Sequence, residues 1–199
     1  IFGMALGVAF FLMDVISQMM DGVSLSDPSM LPLMKYLQVV NTMGLFLIPP
    51  LIFAFLASKR PSGYLGMNIS PSLRSSFLGV VVVLAILPFL HWTAGLNEMM
   101  KLPEFMSGIE DWMRQSEEQA AELTELFLST QTISGLLVNL LMIAVLPALG
   151  EEFLFRGVLL KIFRRWTGNV HMAVIISAIL FSALHLQFYG FLPRFILGV

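Results

Sequence analysis

Four long stretches without a single Asp, Glu, Lys or Arg dictate what this chain can become. They run from Tyr36 to Ala57, Ser76 to Gly95, Ile133 to Leu149 and Val170 to Leu186, and each is mostly apolar. A bilayer's hydrocarbon core is about 30 Å thick and a helix rises 1.5 Å per residue, so about 20 such residues are enough to cross it. Each stretch reads as a span. Ile1 to about Ile16, with Asp14 near its end, reads as the remaining part of an earlier span, because it lacks the basic start and small-residue cleavage site of a signal peptide. Phe191 onward begins a sixth that is cut off. The fold class expected is all-α, a polytopic transmembrane helix bundle of at least five spans plus a truncated sixth. Pro49-Pro50 predicts a kink or break in the second span.

Composition agrees. Of the 199 residues, 57% are hydrophobic and 12% charged, about half the charge of a soluble domain, which leaves too little to cover a water-facing surface. Disorder needs the opposite balance. The net charge of −2 offers no basic field for nucleic acid, and with no cysteine there is neither a disulfide framework nor a thiolate metal site.

Loop charge gives orientation. Ser58 to Ser75 holds Lys59, Arg60 and Arg74, and Lys161, Arg164 and Arg165 cluster between the fourth and fifth spans. Alternating spans place both loops on one side, the cytoplasmic one by the positive-inside rule. Leu96 to Gln131 faces the other side with eight acids (Glu98, Glu104, Glu110, Asp111, Glu117, Glu118, Glu122 and Glu125) against Lys101 and Arg114. Within it, Asp111 to Leu128 reads as an amphipathic helix, a solvated connector on the membrane surface. Residues 1–130 therefore divide as N-terminal spans and acidic connector, and 131–199 as a core.

That core holds charges that apolar surroundings should exclude. In Ala148 to Arg165, Glu151, Glu152 and Arg156 stand among Leu, Phe and Val. An acid near the centre of a span costs about 2.5–3.5 kcal/mol on insertion scales, and such residues face the bundle interior and have partners. Glu152 and Arg156 are four apart with Glu first, the favourable order for a helical ion pair. Read as ordinary structure, all three are cytoplasmic-edge charges, with Pro147 and Gly150 ending the span early. Glu151, about 100° around the helix from Glu152, needs another partner.

Gly168 is a natural helix stop. If it is the apex of a hairpin, Glu151 lies seventeen residues before it and His185 seventeen after, at one depth about 25 Å along each helix. His91, beside Trp92, and His171, near a membrane edge, show no such registration. Phe181, one turn before His185, shares its face, either as a core aromatic or as a seal that orients the imidazole.

Glu151-Glu152-x-x-x-Arg156 resembles the E-E-x-x-x-R motif of the CPBP (Abi) family of membrane-embedded endopeptidases, related to the type II CAAX prenyl protease and to bacterial lysostaphin-resistance and bacteriocin-processing proteins. Phe181-x-x-x-His185 is similar to that family's F-x-x-x-H motif. The resemblance covers span four to the end. It implies an intramembrane endopeptidase in which Glu151 activates a water and His185 shares it, with Glu152, Arg156 and Phe181 supporting them. The substrate implied is a membrane-associated peptide or prenylated CAAX-type protein. The partners are that substrate and the lipid bilayer, with no nucleic acid. The setting is an integral, multi-pass membrane protein, of the cell membrane in a bacterium. No cofactor is expected. The alternative is zinc held through Glu151 and His185, although E-E-x-x-x-R lacks the paired histidines of H-E-x-x-H. The family's third motif, a later histidine often followed four residues on by Asn, is missing, since no histidine follows His185. Truncation within the sixth span is the reading that fits. Two other readings stand beside the enzyme: a non-catalytic membrane scaffold or bacteriocin-immunity protein of the same family, and a proton-coupled transporter using Glu151, Glu152 and His185 as a relay.

Overall fold

The computed structural model describes residues 31–68, 70–99, 102–185 and 187–199, and the first expected span lies outside them. The described residues form helices and no strand. Three helices are long and apolar enough to cross a membrane: α1 (Leu31–Ala57), α2 (Leu73–Glu98) and, after the connector helix α3 (Ser107–Leu128), α4 (Ile133–Thr167). Two shorter ones follow, α5 (Val170–Ala183) and α6 (Phe191–Gly198).

Local chemistry sets the boundaries. The Ser72 hydroxyl accepts from the Ser75 N–H (3.1 Å) at the start of α2, and that of Thr132 accepts from Gly135 (3.1 Å) at the start of α4. Gly168 ends α4 at φ 66°, a left-handed conformation that only glycine adopts cheaply, and its N–H reaches the Arg164 carbonyl at 3.0 Å. The Asn169 carboxamide then caps α5, accepting from His171 (2.8 Å) and Met172 (3.4 Å). Gly168 is thus the hairpin apex that its sequence position suggested.

The break allowed for at Pro49-Pro50 does not occur, and of the two readings of Pro147 and Gly150 the one that ends the span early does not hold. α1 runs unbroken through Pro49-Pro50, and α4 runs through Pro147 and Gly150 to Thr167, carrying Glu151, Glu152 and Arg156 inside one continuous helix. Each proline follows a stretch of wider π turns, Met43–Leu47 in α1 and Leu140–Val145 in α4. A proline ring clashes with the carbonyl four residues back, and the wider turn moves that carbonyl aside. A third π stretch, Glu152–Leu159, spans the charged segment itself.

α1 and α4 run parallel at constant register. Lys35 Nζ donates to Asn139 Oδ1 (2.7 Å), Phe46 lies against Gly150, and Ala54 shares a cluster with Val158, all pairs 104 residues apart. Buried positions on α1 recur every fourth residue: Met34, Gln38, Thr42, Phe46, Pro50 and Ala54. A Cβ on Gly150 would sit 2.6 Å from that of Phe46, so only glycine lets the helices approach this closely.

The fifth expected span, Val170 to Leu186, is also corrected. α5 is 14 residues long, about 21 Å, short of the hydrocarbon thickness. α5 gives way to a turn at Leu184 and His185, and beyond the short turn Phe188–Gly190 α6 returns antiparallel along α5. Ser182 Oγ donates to the Phe191 carbonyl at 2.5 Å, and a Cβ on Gly198 would lie 2.9 Å from that of Ala178. The connector α3 is more than a solvated strip. Its Ala120 and Phe127 are buried, Phe127 against Met34 and Met142, and the Phe127 carbonyl accepts from Asn139 Nδ2 at 2.5 Å.

Candidate active site

The α4–α5 hairpin fixes the site's geometry. Phe155 and Phe181 are thirteen residues before and after Gly168, and their rings meet edge to face with centroids 5.1 Å apart. This contact sets the register of the hairpin. Glu151 precedes Phe155 by four residues, and His185 follows Phe181 by four. Phe155, 2% exposed, also packs with Phe46 of α1. The ring of Phe181 meets the His185 imidazole edge-on at 4.8 Å.

His185, 8% exposed, is oriented by its backbone: Nδ1 lies 2.7 Å from the Phe181 carbonyl oxygen. A carbonyl only accepts, so Nδ1 donates and, in the neutral ring, Nε2 keeps its lone pair for a water or substrate proton. Glu151 is half-buried near the middle of α4. Glu152 and Arg156 point away from the core and pair at 2.8 Å, their side chains 56% and 43% exposed. This is the i,i+4 pair that the spacing suggested. His91 and His171 are exposed and far along the chain from this site.

The segment 187–190 leaves backbone carbonyls outside the regular helices, and such groups need partners. Side chains supply them. The carbonyl of Phe188 accepts from Asn97 Nδ2 of α2, and that of Gln187 from Arg194 Nη1 at 3.3 Å. Arg194 Nη2 also donates to the Gln187 side-chain carbonyl. On α3, Arg114 Nη2 bonds the Tyr189 hydroxyl at 3.0 Å and stacks over its ring at 5.4 Å. Arg114, Glu117, Glu118, Ala121 and Tyr189 line a cavity of about 540 Å³ beside this turn.

Sequence reasoning did not single out Arg194, Asn97 or Glu117. The charge of Arg194 acts on Glu151, on His185 and on Glu117 of the connector. Arg194 is the only charged residue from Phe191 to Val199, so the rule that flagged Arg156 would have flagged it as well. As for a metal, no three His, Cys, Asp or Glu side chains converge among the described residues, so Glu151 and His185 lack a third protein ligand there.

Residues 133–199 match the model of the Rce1-like family, described as type II CAAX prenyl endopeptidase Rce1-like. An Escherichia coli protein described as an uncharacterized 24.3 kDa protein is 37% identical over 71 residues, 35% of this chain and 32% of that protein. The chain thus spans about a third of the length of that relative. No solved structure matches. The matched family is a protease family, and with three helices able to cross a bilayer the chain is that of a membrane protein. The match to the type II CAAX prenyl endopeptidase Rce1-like family takes in the segment that carries E-E-x-x-x-R and F-x-x-x-H, residues 133–199.

Proposed function

We propose that this protein is a multi-pass intramembrane endopeptidase that cuts a peptide bond in a membrane-associated substrate, of which a prenylated CAAX-type peptide is the leading class. The observation that carries the proposal is the hairpin contact: Glu151 and His185 each stand four residues beyond the touching Phe155–Phe181 pair, and His185 Nδ1 is already bonded to the Phe181 carbonyl. In this reading Glu151 takes a proton from a water as its oxygen attacks the scissile carbonyl carbon. His185 Nε2 orients that water. The proton then passes to the leaving amine nitrogen as the C–N bond breaks, regenerating the carboxylate. Glu152 and Arg156 balance each other and keep the carboxylate of Glu152 from competing for the water. Phe181 seals the imidazole from lipid and fixes its plane.

The metal-free mechanism is the reading favoured, because E-E-x-x-x-R presents one histidine partner rather than two on one helix face. Zinc through Glu151 and His185 is the alternative. The partners proposed are the bilayer and the membrane-associated substrate.

The test is cleavage of an internally quenched farnesylated CAAX peptide by the full-length protein in proteoliposomes. Glu151→Ala and His185→Ala are each expected to lower kcat by about 100-fold or more, while Glu152→Gln retains most activity. Normal cutting by Glu151→Ala sinks the mechanism. Activity that vanishes on exhaustive chelation and returns with zinc selects the metal alternative. Absence of cleavage with every prenylated and unprenylated membrane peptide favours the non-catalytic scaffold of the same family.

A further inference from the structure

The segment from Gln187 to Gly190 follows His185 closely and has to be held in place, and the two sequence motifs contain nothing that does so. Arg194 is placed to do it. Its side chain is half-buried and reaches back from α6 to bond both carbonyl oxygens of Gln187, main chain and side chain. Gly190 gives it room: a Cβ there would collide with the guanidinium, meeting Cζ and Nη2 at 2.7 Å. The planar fork is therefore seated flat on the turn, a geometry that Arg supplies and Lys does not. α6 itself is anchored by the Ser182–Phe191 bond and by the close approach of Gly198 to Ala178. The guanidinium charge acts on Glu151 of α4, on Glu117 of α3 and on His185 beyond the end of α5.

We propose that Arg194 is the positioning residue of this site: clamped on the Gln187–Gly190 turn, it holds His185 in place and couples the acidic connector helix to the catalytic pair. The clamp and its charge act through other groups, and Arg194 itself touches no reacting atom. The catalytic part of this proposal rests on the endopeptidase reading above, whereas the clamp does not.

Arg194→Gln, Arg194→Lys and Glu117→Gln are compared in the full-length protein in proteoliposomes, with the internally quenched farnesylated CAAX peptide as probe. Misplacing a catalytic group by about 1 Å costs on the order of 100-fold, so Arg194→Gln is expected to lose about 10- to 100-fold in kcat with KM within about twofold. Arg194→Lys, which keeps the charge but not the fork, is expected to fall between the two. Arg194→Gln combined with Glu117→Gln is expected to lose less than the product of the single losses. A raised KM at unchanged kcat would make Arg194 a substrate-binding residue and overturn the proposal, as would wild-type kcat in Arg194→Gln. Amide exchange at residues 187–190 reads the clamp independently of activity. Loss of charge-assisted bonds is expected to speed it about tenfold or more in Arg194→Gln and less in Arg194→Lys. Unchanged exchange refutes the clamp even if the wild-type enzyme cuts. Faster exchange in a protein that cuts nothing leaves the clamp standing and removes the protease.

Discussion

Gly150→Ala is the smallest change that probes the seat of the catalytic helix. Its new Cβ would stand 2.6 Å from Phe46 Cβ, 3.3 Å from the Phe46 carbonyl carbon and 3.4 Å from its oxygen. Carbon atoms rest at about 3.5–4.0 Å, so α1 and α4 must part locally by roughly 1 Å. Neither partner can yield by rotating a side chain, because the atoms in the way are a Cβ and the backbone. Overpacking of this kind costs about 1–3 kcal/mol. Replacing a helical glycine by alanine returns roughly 0.5–1 kcal/mol, leaving a net loss of up to about 2.5 kcal/mol. The displaced residue adjoins Glu151, so activity is expected to fall further than stability, by up to about 100-fold. Gly79→Ala in α2 is the control, since nothing lies within 4 Å of its added methyl, and it should be neutral or slightly stabilising. Adding Phe46→Ala to Gly150→Ala should not rescue it, because alanine keeps both the Cβ and the backbone. Thermal unfolding in detergent and peptide cleavage in proteoliposomes give the two readouts. If Gly150→Ala matches Gly79→Ala in both, the tight parallel crossing is not what positions Glu151.

Other substitutions test other levels. Phe155→Ala and Phe181→Ala each empty part of one aromatic contact and should cost about 3–5 kcal/mol, with the double variant losing clearly less than the sum; additivity in thermal unfolding would dissolve the register argument. Asn97→Ala leaves the Phe188 carbonyl without its donor at depth, and a stability loss of about 1–3 kcal/mol is expected, with no loss refuting its role in closing the turn. Gly168→Ala forces a Cβ into a left-handed residue and should cost about 1–2 kcal/mol by denaturant unfolding; an unchanged midpoint would mean that the apex is free to rearrange.

The parts of this architecture legible in the sequence were those written in single residues. Gly168 marked the apex because a positive φ is nearly a glycine property, and equal spacing about it matches the Phe155–Phe181 contact. Glu152 and Arg156 paired as their spacing required. The helices continue past Pro49, Pro50 and Pro147 because π turns ahead of each absorb a clash that a 3.6-residue turn would not. The fifth stretch was read at full length because hydropathy alone does not distinguish a crossing helix from one that turns back: residues 184–190 are apolar enough to continue the helix. Arg194 was overlooked because its bonded partners are the two carbonyl oxygens of Gln187, and an uncharged partner leaves no complementary charge in the sequence to search for. The connector's acids gave a correct helix but not its docking, which depends on Phe127 finding Met34 and Met142 across the chain.

The constant offset of 104 residues between α1 and α4 has a kinetic consequence. Helices that run parallel cannot be neighbouring hairpin arms; the chain must travel back through α2 and along α3 before α4 can lie beside α1. Contacts at that separation close late and slowly, since the entropy of the intervening loop has to be overcome before any of them forms. The hairpin of α4 and α5, whose Phe155–Phe181 contact spans only 26 residues, can form while α1 is still undocked. Assembly therefore has a natural order in which the residues proposed to carry out hydrolysis are brought into register first. The surface that seats them, Phe46 against Gly150, arrives last. A newly inserted chain would in this way hold its reactive pair together before the pair is rigid, and would mature by docking rather than by further chain synthesis.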